Sequence, residues 1–156
     1  YCHGLTDEKP DIMLEVKDKN RSAVKCQLCL GTSNQRLLET EWGRYKYSVL
    51  ERSPADYQAI REMLKDKAAN HSQLFYETVE GAMQLPEHKG RALNALEHVW
   101  GYFSDIATPA ETKQYVSRRD AYQSGDLPLE KVKKLLYHLS QKYRQDYLLG
   151  SYYFMD

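Results

Sequence analysis

The sequence predicts an all-α protein, a single compact bundle of about six or seven helices with an irregular N-terminal appendage. Its 156 residues are the length of one domain and suffice to bury a core. From residue 34 onward, apolar residues recur at intervals of three and four, the spacing that places them on one face of a helix. We therefore expect an appendage over residues 1–32 and a helical domain over residues 33–156.

The appendage contains all three cysteines of the chain. Cys26 and Cys29 form a C-x-x-C pair, and Cys2 and His3 lie upstream, so four ligands of the kind that bind zinc are present. A metal would stabilise a segment that has little core of its own. Against a zinc site, Cys2 and His3 are adjacent and a second complete C-x-x-C is missing. Bound zinc and ordinary reduced thiols both remain open.

Prolines and hydroxyl residues mark the helix starts of the helical domain. Ser53 and Thr108 each precede a proline and stand three positions before an acidic residue, the pattern of a capped helix start. Pro86 and Pro128 give weaker forms of the same signal. Between these starts, four apolar faces are Trp42, Tyr45 and Val49; Tyr57, Ile60, Met63 and Leu64; Leu74, Phe75, Val79 and Met83; and Ala92, Leu93, Leu96, Val99, Trp100 and Phe103. A further face is Leu129, Val132, Leu135, Leu136, Leu139 and Tyr143.

The composition of the chain restricts the partners and the location that we expect for it. With 22 basic and 22 acidic residues the formal net charge is +0, so any affinity for phosphate must come from a local patch. No apolar run approaches the roughly 20 residues that span a bilayer, so we expect no membrane partner. The start of the chain also has no basic-then-apolar signal pattern, and we expect a cytoplasmic location.

Catalytic motifs are scarce in this sequence. It contains no glycine-rich phosphate loop, nucleophile elbow or paired-histidine zinc helix, so we expect no catalysis by this chain on its own. Asn94, His98 and Tyr102 nevertheless recur at every fourth position and form a polar stripe on one helix. Such a stripe can supply a general acid or base, and it can equally satisfy buried backbone groups between helices.

A cationic face is predicted on the helix that follows Pro128. Lys131, Lys134, His138 and Lys142 fall within about 80° of one another on a helical projection, apart from the apolar sector. Cations beside tyrosines suit an RNA backbone with splayed bases, although a lysine-rich face is also typical of plain solvated surface. Further cations could extend the patch if their helices are neighbours, namely Arg44, Lys46, Arg52, Arg118, Arg119 and Arg144.

Four segments of the sequence carry a family resemblance. They are residues 45–57 (YKYSVLERSPADY), 98–103 (HVWGYF), 122–129 (YQSGDLPL) and 135–138 (LLYH). In this order and spacing they resemble the YbgA-like bacterial family, a domain of unknown function, over roughly residues 41–154. Positions that match the family motifs are Lys46, Asn94, His98, Tyr102, Gly125, Pro128 and His138. The chain departs from the family at four positions. Many members have a histidine where this chain has Arg52 and another where it has Ala92, a proline in place of Val132, and a glutamine in place of Ser151.

The resemblance implies a role beside a catalytic partner. In that family the domain occurs alone or fused behind an iron–sulfur desulfidase domain that removes sulfur from thiolated uridine in tRNA. By implication the helical domain binds the tRNA, needs no cofactor of its own, and works with a desulfidase in cis or in trans. Lys46 and His138 would then contact phosphate.

Three hypotheses follow from the sequence. The first is a non-catalytic RNA-binding module, most naturally for tRNA, linked to tRNA sulfur modification. The second is a small enzyme that uses Asn94, His98 and Tyr102. The third is a protein-interaction domain whose N-terminal cysteine segment is stabilised by zinc.

Overall fold

The computed structural model describes residues 19–30 and 35–155, which form eight α-helices and one short 3₁₀ helix. No strand occurs within those two ranges, which confirms the all-α prediction. The helices are α1 (Lys19–Leu30), α2 (Gln35–Arg52), α3 (Pro54–Met63), α4 (Ser72–Met83), α5 (Lys89–Trp100), α6 (Pro109–Ser124), α7 (Leu129–Lys142) and α8 (Asp146–Leu149). The 3₁₀ helix, Tyr152–Phe154, follows α8. None of these helices is both long enough and apolar enough to cross a bilayer.

Helix α1 lies inside residues 1–32, which the sequence predicted to be an irregular appendage without a helix. It contacts α4, where Leu28, only 2% exposed, joins a cluster that includes Phe75 and Val79. Lys25 also forms an ion pair with Glu80 of α4. The tertiary contact with α4 therefore supports a helix whose own apolar pattern is too weak to predict it.

The two helix starts predicted at Ser53 and Thr108 are confirmed by their caps, whereas α7 begins directly after Pro128 without a side-chain cap and α5 begins at Lys89, three residues after Pro86. The Ser53 hydroxyl accepts a hydrogen bond from the Asp56 amide at 3.2 Å. Thr108 and Glu111 form a complete capping box, in which the Glu111 amide donates to the Thr108 hydroxyl at 3.3 Å. Helix α6 ends at Gly125, whose φ of 95° lies in the left-handed region that favours glycine. These local signals fix where α3 and α6 begin and where α6 ends.

Helix α2 lies between two apolar clusters and contributes to both. Tyr47 and Leu50 join the cluster built with α5, α6 and α7, whereas Tyr45 and Val49 join the cluster built with α1, α3 and α4. The end of the chain returns to α2, where the Ser151 hydroxyl donates to a backbone carbonyl of that helix at 3.0 Å. The buried tyrosines of the described residues are Tyr45, Tyr47, Tyr76, Tyr115, Tyr122, Tyr152 and Tyr153. Seven of the 13 tyrosines of the chain therefore belong to the core.

Candidate nucleic-acid interface

Helix α7 and the end of α6 present a row of basic side chains, which we call the α7 basic face and define as Arg118 of α6 and Lys131, Lys134 and His138 of α7. The three α7 members are exposed, and Arg118 is placed beside them because its guanidinium donates to the Lys131 carbonyl at 3.1 Å. No carboxylate of the described residues lies within 4.0 Å of these four side chains. Tyr137 is 37% exposed, and its ring centroid lies 6.3 Å from that of His138. The face therefore combines basic side chains that form no ion pair within the described residues with an accessible ring.

Four other cations that the sequence assigned to RNA contact form ion pairs within the chain. Arg144, by contrast, is exposed just beyond α7. Each ion pair reduces the charge available to a phosphate, so these four contribute less than the α7 basic face. The pairs are Lys142 with Glu111 at 2.7 Å, Arg119 with Glu97 at 2.9 Å, Arg44 with Glu41 at 2.7 Å and Arg52 with Glu51 at 3.6 Å.

Lys46 is found in a separate place, an open cavity of about 350 Å³ that we call the α2–α3–α8 groove. The ring centroids of Trp42 and Tyr57 lie 5.4 Å apart along it. The Lys46 ammonium is 6.0 Å from the centre of the Tyr147 ring, and the Arg61 guanidinium is 5.7 Å from that of Tyr57. The groove is lined by Glu39, Trp42, Gly43, Lys46, Tyr57, Arg61 and Tyr147.

Sequence reasoning missed most of this groove. Trp42 and Tyr57 were assigned to the apolar core, and Arg61 was not singled out. Both rings do pack against the core, yet each also lines the groove. The signal was present in the spacing, because Trp42 precedes Lys46 by four residues and Tyr57 precedes Arg61 by four. Each ring and cation therefore share one helix face.

The two cations of the groove are close enough to influence one another. Partial burial lowers the pKa of Lys46, and the positive charge of Arg61 lowers it further. Within the described residues, no carboxylate lies within 4.0 Å of either cation. Glu39, the acid in the lining, has a carboxylate oxygen 3.9 Å from the ammonium of Lys67. The groove therefore holds positive charge that an anion would compensate.

The predicted polar stripe does not lie on one helix, because α5 ends at Trp100 and Tyr102 follows in a turn. Asn94 and His98 are exposed, so neither satisfies a buried backbone group. Tyr102 is half-buried and accepts a hydrogen bond from the Tyr47 hydroxyl at 2.8 Å. Its ring stacks against Tyr147, with centroids 6.1 Å apart and planes at 18°. Tyr102 thus supports the wall of the groove, while His98 does not line it.

The predicted metal ligands lie only partly within the described residues. Cys26 is half-buried and Cys29 is exposed, both on α1. Cys2 and His3 lie outside the residues that the structure describes. Within residues 19–30 and 35–155, no group of three or more metal-binding side chains comes together. Zinc at the four predicted ligands stays a prediction.

Comparison with known proteins gives one result. A family model described as "Protein of unknown function (DUF1722)" matches residues 46–156. No curated protein and no solved structure matched the chain. The family match covers everything from the middle of α2 to the end of the sequence, and so includes both the α7 basic face and most of the groove.

Proposed function

This chain belongs to the DUF1722 family of proteins of unknown function, and we propose that it is a non-catalytic module that binds tRNA or another structured RNA. The observation that carries the proposal is the α7 basic face. Its three helical members, from Lys131 to His138, lie within eight residues, and the seven steps between the first and the last cover about 10 Å along the helix axis. A row of this length reaches several phosphates of one strand and matches the way sequence-independent RNA contacts are made.

Exposed charge without an acidic partner is what separates this face from ordinary surface. Lysines on a solvated helix commonly pair with acidic neighbours, as Lys142 does with Glu111. Exposed Glu130 precedes Lys134 by four residues and lines one cavity with it, but no carboxylate oxygen of the described residues lies within 4.0 Å of the Lys131 or Lys134 ammonium, so both can turn to a phosphate. Tyr137 adds a ring on which an unpaired base can stack.

The net charge of +0 sets the scale of the interaction. Only a few cations are available, so binding is modest in affinity and strongly salt-dependent. A module of this kind suits an accessory role in which another protein performs the chemistry. From the YbgA-like resemblance, the proposed ligand is tRNA, the proposed partner is an iron–sulfur desulfidase in cis or in trans, and the proposed location is the cytoplasm.

The enzyme hypothesis has less support than the binding hypothesis. It needs His98 to face a cavity together with Asn94 and Tyr102. Of the three, Tyr102 approaches the groove, through its stacking on Tyr147, and its hydroxyl is engaged with Tyr47. Asn94 and His98 are exposed and do not line the groove.

Fluorescence polarisation with labelled tRNA at low salt tests the proposal. The variant Lys131→Glu/Lys134→Glu should bind at least tenfold more weakly than the unmodified chain. The control Lys89→Glu/Lys113→Glu changes the net charge equally at two exposed lysines outside the α7 basic face, which likewise form no ion pair within the described residues, and should bind nearly as well as the unmodified chain. Circular dichroism confirms that both variants fold. Equal weakening in both variants would remove the α7 basic face from the account, and no binding by the unmodified chain would overturn the proposed function.

A further inference from the structure

We propose that the α2–α3–α8 groove binds one unstacked nucleotide, with its phosphate between Lys46 and Arg61 and its base against the neighbouring aromatic rings. The inference rests on the proposed function, since it names what part of an RNA this second surface would take. It concerns residues on α2, α3 and α8, none of which belongs to the α7 basic face.

The aromatic lining suits a nucleobase. Trp42, Tyr57 and Tyr147 all contribute to a cavity of about 350 Å³, a volume within the range of small-ligand sites. Every base has a flat π face, so stacking on such rings tolerates any sequence. The rings present an apolar surface that remains open to solvent, which is the environment an unstacked base requires.

The position of Tyr147 depends on a glycine. A Cβ atom placed on Gly43 would lie 3.3 Å from Cε2 of the Tyr147 ring, closer than most side chains approach. On its other side Tyr147 stacks on Tyr102. The ring is therefore held between α2 and the end of α5, and the absence of a side chain at residue 43 lets it form one wall of the groove.

The charges of the groove suit a single phosphate. Lys46 and Arg61 give two positive charges, and Glu39 gives one negative charge, so the lining carries a net charge of about +1. A phosphodiester, with one negative charge, neutralises that sum, and a phosphate monoester, with about −1.5 to −2 at neutral pH, exceeds it only slightly, whereas a triphosphate would face repulsion from Glu39. The partly desolvated Lys46 has no carboxylate among the described residues within 4.0 Å, so an anion beside it would compensate charge that the fold leaves unpaired.

The chain carries its own reporter for this site. It has two tryptophans, and Trp100 is buried with its ring stacked on Tyr115 at 4.2 Å. Trp42 is half-buried and lines the groove. A ligand in the groove should therefore change the fluorescence of Trp42 and leave that of Trp100 unaffected.

The test is a titration of the chain with adenosine 5′-monophosphate, adenosine and inorganic phosphate, followed by tryptophan fluorescence. The monophosphate should bind at least tenfold more tightly than adenosine or phosphate. The variant Arg61→Ala should weaken it about tenfold, whereas the control Lys113→Ala, on α6, should not. The variant Trp42→Phe should abolish the optical signal while calorimetry still detects binding.

The possible results distinguish the base contact, the phosphate contact and the proposed function from one another. Equal affinity for phosphate and for the monophosphate would overturn the base contact, and equal affinity for adenosine would overturn the phosphate contact. If tRNA binds but Arg61→Ala has no effect on either ligand, the groove inference fails and the α7 basic face stands. If the monophosphate binds and tRNA does not, the proposed function fails and the groove takes free mononucleotides.

Discussion

The ammonium of Lys133 lies 3.1 Å from a carboxylate oxygen of Glu51, and both residues are almost wholly buried. The same ammonium lies 4.2 Å from the centre of the Tyr153 ring. Burial raises the pKa of Glu51, and the charge of Lys133 opposes that rise. This ion pair joins α7 to the end of α2, and together with the buried apolar face of α7, which includes Val132 and Leu136, it accompanies an orientation that leaves Lys131 and Lys134 in solvent.

Replacing Lys133 by methionine should destabilise the fold strongly. The change leaves the buried Glu51 carboxylate with only its longer contact to Arg52, at 3.6 Å, and the loss of the buried partner from such a pair typically costs about 3–5 kcal/mol. The double variant Glu51→Gln/Lys133→Met removes both charges and should lose less of the free energy of unfolding. Urea denaturation at neutral pH measures both values. If the single variant is as stable as the double variant, the ion pair has no such role.

The stability of the single variant Lys133→Met should also depend on pH. Without Lys133, the raised pKa of Glu51 rises further, so the folded state binds a proton that the unfolded state releases. The free energy of unfolding then falls as the pH rises from 4.5, the ordinary pKa of the group, to its raised value in the folded state. Lowering the pH from neutral should restore part of the lost stability. Denaturation of Lys133→Met at several pH values checks this, and a loss of stability that does not change with pH would contradict it.

Gly125 and Gly81 should respond in opposite ways to alanine. Gly125 has φ 95°, so Gly125→Ala should cost about 1 kcal/mol or more through backbone strain. Gly81 lies within α4, and nothing lies within 4 Å of a Cβ placed there, so Gly81→Ala should stabilise by about 0.5–1 kcal/mol. Thermal denaturation of the two variants measures both changes in stability. A stabilising Gly125→Ala would show that the left-handed turn is not needed.

Glu111 should make stability depend on acidity. Hydrogen bonds from Lys142, from the Thr108 amide and from Tyr143 lower its pKa from 4.5 to about 2. A lowered pKa means that the folded state binds fewer protons than the unfolded state between these two pH values. The stabilisation by Glu111 is therefore complete above pH 4.5 and is lost as the pH falls towards about 2. Glu111→Gln should therefore lower the Tm at neutral pH, and the difference should shrink as the pH falls through that window. A difference in Tm that is constant with pH would contradict this.

The fold was predictable where local signals decide it. Ser53 and Thr108 mark helix starts because their hydroxyls satisfy free amides, and those caps need no distant contact. Helix α1 was not predicted, since it depends on Leu28 entering a cluster with residues of α4. Burial across such a sequence separation leaves no periodic trace in the segment itself.

The candidate site was predictable only in part, for the same reason. The exposed row Lys131, Lys134 and His138 follows from helical spacing alone. The inward orientation of Lys133 depends on Glu51, and the pairing of Lys142 depends on Glu111, so both required the packed structure. The groove likewise arises only when α3 and α8 meet α2.

The salt dependence of tRNA binding tests the central claim most directly. Three or four phosphate contacts at the α7 basic face predict that log K falls linearly with log salt concentration, with a slope of roughly −2 to −4. In Lys131→Glu/Lys134→Glu the slope should lose roughly two units at measurable affinity. A slope near zero, or a slope unchanged in that variant, would contradict RNA binding through this face.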